Sequence, residues 1–164
     1  MKKLTYFLFF MPFVISCTSG SKNAEKNIQL IEGYIQSVEN LDYQTMESLL
    51  DDNYLGLGPS YGDSINKEAA VENWKYLVDN LYESIKYNRS RNAAVSVYDG
   101  ENQGDWVSNW AELTIHYKNT EDSVTIWENS IYQLKDGKIL KSYTFYNEAD
   151  ALRQLGYTFV NLND

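Results

Sequence analysis

The residues best placed to do chemistry in this chain are two glutamates, Glu112 and Glu128, with Arg91 as their neighbour. Their proximity follows from the turns. Asp136-Gly137 is a two-residue hairpin turn that needs positive φ. It sets Lys135 opposite Lys138, so Tyr132 pairs with Lys141, Ser130 with Tyr143 and Glu128 with Phe145. A tight turn at Asn119 to Glu121 then puts Glu112 opposite Glu128 and Trp110 opposite Ser130. Through the turn at Asp99 to Gly104, Arg91 falls beside Glu112 and Arg89 beside Thr114. The row Arg91, Glu112, Glu128 thus crosses a mostly apolar face that is expected to point inward. Two opposed carboxylates in a partly buried site cannot both ionise cheaply, so one gains a raised pKa and can act as general acid or base. An adjacent Arg91 offsets much of that effect by pairing with one of them. A structural salt bridge or a solvated face accounts for the same residues. A slip of one residue at either turn sends the row to solvent, because strand side chains alternate.

Other chemistries find little support. His116 is the only histidine, near a strand end on the Trp110 and Glu112 face, where exposure is expected rather than catalysis. One His and one Cys leave only carboxylates for a metal, and no Asp-x-Asp-x-Asp loop or His-x-x-x-His pair occurs. No phosphate loop or dinucleotide fingerprint is present, and no metal or cofactor is expected.

The elements that must position these residues come as helices first and strands afterwards. Ile28, Ile31, Ile35 and Val38 recur at helical spacing and predict a first helix ending near Asn40. Asp42 caps a short second helix carrying Met46, Leu49 and Leu50. Gly56, Gly58, Pro59 and Gly62 break the chain into a loop. A third helix starts from a cap at Ser64 or Asn66, with Ala70, Trp74, Leu77, Val78, Leu81 and Ile85 on one stripe. Period-two strands follow at about 85–98, 105–117, 124–134 and 138–146. Asn147, with Asp150 three residues on, caps a last short helix stopping at Gly156. Consecutive hairpins make the sheet antiparallel, and helices gathered before it imply an α+β domain with the helices on one face.

That order, the Asp-Gly-Lys-Ile turn (Asp136 to Ile139) and the ending Phe145-Tyr146-Asn147 resemble the nuclear-transport-factor-2-like superfamily, more narrowly its SnoaL-like polyketide-cyclase branch. The resemblance implies a cone: N-terminal helices on a curved four-stranded antiparallel sheet, a short C-terminal helix, and an apolar cavity between the layers. Such cavities serve isomerases, cyclases, dehydratases, hydrolases and non-catalytic binders. Catalytic members use an Asp–His pair or an Asp-Arg-Asp triad on these strands, whereas this chain offers Glu, Asn and Thr. Family members are often homodimers through the outer sheet face. The expected pocket residues are Tyr54, Trp74, Arg91, Trp110, Glu112, Glu128, Tyr132 and Tyr143.

The N-terminus says where the protein sits. Lys2 and Lys3 precede an apolar run, Leu4 to Ile15, broken only by Thr5 and Pro12. This is a secretory signal, too short to span a bilayer comfortably. Val14-Ile15-Ser16-Cys17 resembles the lipobox of bacterial lipoproteins, in which the Cys becomes the lipidated first residue. Thr18 rather than Asp follows Cys17, so the outer membrane is favoured. The expected organisation is a signal peptide over 1–16, the lipidated Cys and a flexible tether over 17–26, and one domain over 27–164. Loss of the signal removes two of 14 basic residues and leaves 12 against 23 acidic ones, a formal charge of −11. Nucleic acid is disfavoured as a partner, because phosphate binding needs a clustered basic surface.

The function expected from all this is a lipid-anchored domain that binds a small apolar or amphipathic molecule without catalysis. One alternative is an isomerase, dehydratase or cyclase with Glu112 or Glu128 as base. Another is a cell-envelope interaction module whose cavity is filled by its own aromatics.

Overall fold

The computed structural model describes residues 19–161. The signal sequence, the lipobox and Cys17 lie outside the described residues. The elements run α1 (Ser19–Glu39), α2 (Tyr43–Leu49), β1 (Leu50–Leu57), β2 (Ser64–Asn66), α3 (Lys67–Asn80), β3 (Tyr82–Val97), β4 (Gly104–Tyr117), β5 (Ser123–Lys135), β6 (Lys138–Tyr146) and α4 (Glu148–Gln154). α1 begins inside the stretch read as a tether. No described helix is long and apolar enough to cross a membrane.

The helix starts are set by side-chain caps. Asp42 accepts the Thr45 backbone N–H, Asn66 accepts that of Ala69, and Asn147 accepts that of Asp150. Each satisfies a donor that the first turn leaves free. The end of α3 is held from outside, where the Lys118 ammonium donates to the carbonyls of Val78 and Asp79 at 2.7 and 3.1 Å. A cation there also suits the negative end of the helix.

The fold is α+β, with the helices against one face of a curved, open sheet. The sheet has six strands rather than four, in the order β2-β1-β6-β5-β4-β3. β1 pairs in parallel with β6 and antiparallel with β2. These two strands occupy the stretch read as the end of the second helix and a loop. Their pairing is with a strand far along the chain, which no local pattern announces. Gly58 makes the close approach possible: its φ is +94°, and a Cβ there would stand 2.4 Å from the Thr144 carbonyl oxygen.

Three departures from simple hairpin registers decide which side chains face the helices. β5 and β6 shift between Gln133 and Leu134, so Tyr132 pairs with Ser142, Ser130 with Thr144 and Glu128 with Tyr146. The β4–β5 turn, with Asn119 at φ 61° and Tyr117 N–H donating to Asp122 O, pairs Ala111 with Glu128 and Glu112 with Trp127. β3 and β4 shift between Asn88 and Arg91, with Arg89 at φ 52°, so Asn88 faces Glu112 and Arg91 faces Trp110. Each departure moves a set of residues to the other face of the sheet.

The core lies between α1 and the concave face. Ile31, Ile35 and Val38 of α1 and Ile85, Val107, Val124 and Ile139 of the sheet are all buried in one cluster. α4 is tied across the end of β5 by the Gln154 amide, which makes two 2.9 Å bonds to the backbone N–H and carbonyl of Thr125.

Candidate ligand cavity

Behind that core the layers separate and leave a cavity of about 400 Å³, within the range of small-molecule sites. Alternate residues of the sheet form its floor: Ile85 and Tyr87, Leu113 and Ile115, Val124 to Tyr132 in steps of two, then Ser142, Thr144 and Tyr146. Tyr34 and Val38 of α1, Trp74 and Leu77 of α3, and Ala151, Leu152 and Leu155 of α4 cover it, with Tyr54 and Pro59 along one side. Tyr34, Ile85 and Tyr132 are buried at the α1 end, whereas Trp74, Tyr82, Tyr117 and Tyr146 are half-buried near α4. The cavity is therefore least covered at a tilted stack in which Tyr82 sits 6.2 Å from Trp74 and 5.9 Å from Tyr117.

One charged group stands deep in this aromatic chamber. Glu128 is only 6% exposed. Its Oε1 accepts the Ser130 hydroxyl, and Ser130 Oγ lies 3.0 Å from Thr144 Oγ1. Ser130 has a single proton, so Thr144 must donate to Ser130 while Ser130 donates to Glu128. Oε2 has no hydrogen-bond partner among the described residues. Burial pushes the carboxyl up to about 7, against the opposing pull of the Ser130 hydroxyl. Around it, burial raises the phenols of Tyr34, Tyr87 and Tyr132 above their ordinary range, and the Glu128 charge adds to each. The Tyr54 hydroxyl is held 2.7 Å from Ser142 Oγ. At the mouth, burial lifts Tyr82 to about 12. No Lys, Arg or His is among the described residues that line the cavity.

Of the residues expected at the pocket, Tyr54, Trp74, Glu128 and Tyr132 line it. The other four face away, and the row Arg91, Glu112, Glu128 does not form. Glu112 lies on the convex face opposite Trp127 and pairs with Arg89 at 3.4 Å. Arg91 is exposed, its guanidinium donating to its neighbour's carbonyl at Ser90. Trp110 is 43% exposed on the same outer side. Tyr143 stacks outside the cone between Trp106 and Phe145, with ring centroids 6.1 and 6.5 Å away. The register departures are the physical cause in each case. His116 is exposed.

Tyr34, Tyr87, Ser142 and Tyr146 also line the cavity. Two of these were within reach of pattern reading: Tyr34 falls on the Ile31, Ile35, Val38 stripe, and Tyr87 lies two residues beyond Ile85. Ser142 and Tyr146 carried no such signal, because the shift in β6 reverses the alternation that precedes it.

No protein-family model matches the sequence, and comparison with curated proteins finds no match. Solved structures do resemble it. A protein from Silicibacter sp. TM1040 assigned as a polyketide cyclase superposes with a TM-score of 0.66 at 16% identity, covering 80% of this chain and 96% of that one. An LEH-like epoxide hydrolase from M. tuberculosis gives 0.60 at 14% identity, covering 81% and 91%. A nuclear-transport-factor-2-like protein from Burkholderia xenovorans LB400 gives 0.60 at 12% identity, covering 80% and 96%. Cone, cavity and neighbours agree: the chain has the nuclear-transport-factor-2-like fold.

Proposed function

We propose that this protein is an exported, lipid-anchored domain that takes a small amphipathic molecule into the cavity of its cone. The observation that carries the reading is a chamber of about 400 Å³ with largely apolar walls and a buried carboxyl whose second oxygen has no partner among the described residues. Such a chamber is open space, not a cone filled by its own aromatics, which weighs against a pure interaction module. The anchor rests on Val14-Ile15-Ser16-Cys17 and the apolar run before it. The test uses N-phenyl-1-naphthylamine, a neutral fluorophore that brightens in apolar sites. It should bind the purified protein, and Leu155→Trp, which fills the mouth from α4, should abolish the signal while the fold persists. Unchanged fluorescence in that variant refutes the reading.

A second reading, acid–base catalysis on the bound molecule, has its own observation: the Glu128 carboxyl sits near neutrality and faces the cavity. Glu112 is no longer a candidate, since it pairs with Arg89 outside. Among the cavity residues described, neither a His nor an Arg stands with Glu128, so the resemblance's Asp–His or Asp-Arg-Asp machinery has no counterpart there. Binding therefore comes first. If a substrate is found, Glu128→Gln should abolish its turnover and leave fluorophore binding intact.

A further inference from the structure

The cavity's chemistry is one-sided. Seven tyrosines and Trp74 line it, the only charged lining residues described are Glu128 and Glu148, and no cation is among them. Glu128 is 94% buried, given its 6% exposure, and Oε2 is unpartnered. A buried carboxyl without a cation destabilises a fold, so its place in an open chamber points to a ligand that completes it. Aromatic faces add a second attraction for positive charge, strongest where water is excluded. The acidic chain, at a formal charge of −9, draws cations toward it.

The partner's shape follows from the same atoms. Oε1 already accepts the Ser130 hydroxyl, and Oε2 accepts from no group among the described residues. A guanidinium fork pairs best with two free oxygens side by side, whereas an ammonium needs one point of contact. A metal ion is poorly matched, since no group of three or more His, Cys, Asp or Glu occurs among the described residues. From this we infer that the cavity selects an alkylammonium ion, its charge beside the Glu128 carboxylate and its alkyl groups among Tyr34, Tyr87 and Tyr132. The inference rests on the proposed binding function and names its ligand class.

Binding should then depend on pH through Glu128. The groups facing it are the phenols of Tyr34 from α1, Tyr54 from β1, Tyr87 from β3 and Tyr132 from β5. All four are raised by burial and stay neutral below pH 9. β4 presents Ala111 and Leu113, and β6 presents Ser142 and Thr144, which do not titrate, together with the phenol of Tyr146 opposite Glu128, which burial raises. Glu148, on α4 at the mouth, is the other carboxyl of the lining. Burial pushes Glu128 toward 7, so the anionic form that pairs with a cation is lost as pH falls through that value.

The test compares phenyltrimethylammonium with its neutral isostere tert-butylbenzene as displacers of N-phenyl-1-naphthylamine. At pH 8 the cation should displace the fluorophore at a concentration roughly tenfold or more below that of the isostere. The preference should shrink at pH 5.5. In Glu128→Gln it should fall to the remainder that the aromatic faces supply and no longer change between the two pH values, with the isostere unaffected. Equal or tighter binding of the isostere at pH 8, failure of both to displace a bound fluorophore, or a preference undiminished in Glu128→Gln overturns the inference. If Glu128→Gln does not fold, the pH dependence in the native protein decides alone, and a flat preference overturns it. Any of these results, obtained while Leu155→Trp still blocks the fluorophore, leaves the binding function standing. If Leu155→Trp fails to block it, the binding function itself has failed.

Discussion

Glu128→Gln should change how stability responds to pH before any ligand is known. The folded carboxyl is raised from 4.5 to about 7 by burial. Between those values the native protein holds a proton that the unfolded chain has released. The stability linked to Glu128 is therefore full below about pH 4.5, declines as pH rises toward 7, and is gone above it. A shift of 4.5 to about 7, at roughly 1.4 kcal/mol per unit, makes the whole span about 3 kcal/mol. The amide of Gln cannot ionise, so the variant lacks this decline. Its neutral side chain adds a constant offset but no slope. Asp42 and Asp52 are lowered by the Thr45 hydroxyl and by Lys67, and lose their contributions only in acid. They are common to both proteins and cancel in the difference. Urea unfolding at half-unit steps from pH 5 to 8.5, followed by tryptophan fluorescence, measures the two curves. The variant should gain about 2–3 kcal/mol on the native protein between pH 5 and 8. Parallel curves would mean that Glu128 titrates as it does in water, and the buried-carboxyl argument would fall with them.

Trp74 is half-buried at the mouth against Tyr82, so Trp74→Ala should cost about 1–2 kcal/mol rather than the 3–5 of a fully buried ring; chemical denaturation measures it, and a loss of full-burial size would close the mouth drawn here. The Arg89–Glu112 pair lies on the solvent side with the Arg89 side chain 71% exposed, so Arg89→Ala should change stability by less than about 1 kcal/mol. A loss of several kcal/mol in the same assay would put that pair in a desolvated site. Cys17→Ser should leave the protein unlipidated and shift it out of the membrane fraction; unchanged fractionation would refute the lipobox reading.

The helices and hairpins were legible because their signals are local: the Ile31, Ile35, Val38 stripe, the Asn66 and Asn147 caps, and the Asp136-Gly137 turn. β1 was not, since its partner β6 lies far along the chain and Asp51, Asp52 and Asn53 interrupt its pattern. The site divided along the same line. Glu128 was found because β5 declares its own inner face, with Val124, Ile126, Tyr132 and Leu134 in steps of two. Glu112 was misplaced because its face was transferred across a turn, and one residue of turn length reverses every side chain beyond it. The strand itself held the correction. Val107, Ala111, Leu113 and Ile115 are apolar and buried on one face of β4. Trp106 and Trp110, on the other face, are larger. Trp106 is nonetheless covered, by Tyr143 stacked on it outside the cone. Aromatic size is thus a weaker guide to the inner face than a period-two series dominated by aliphatic residues, even where Asn109 interrupts it in β4 and Glu128 and Ser130 in β5. A large ring can be covered by a single neighbour on the convex side, whereas a period-two aliphatic run needs a whole layer against it. By that criterion β4 and β5 alone place Glu128 inside and Glu112 outside, with no turn consulted. The buried Glu128 carboxyl, on which the proposed cationic ligand rests, follows from the alternation within single strands.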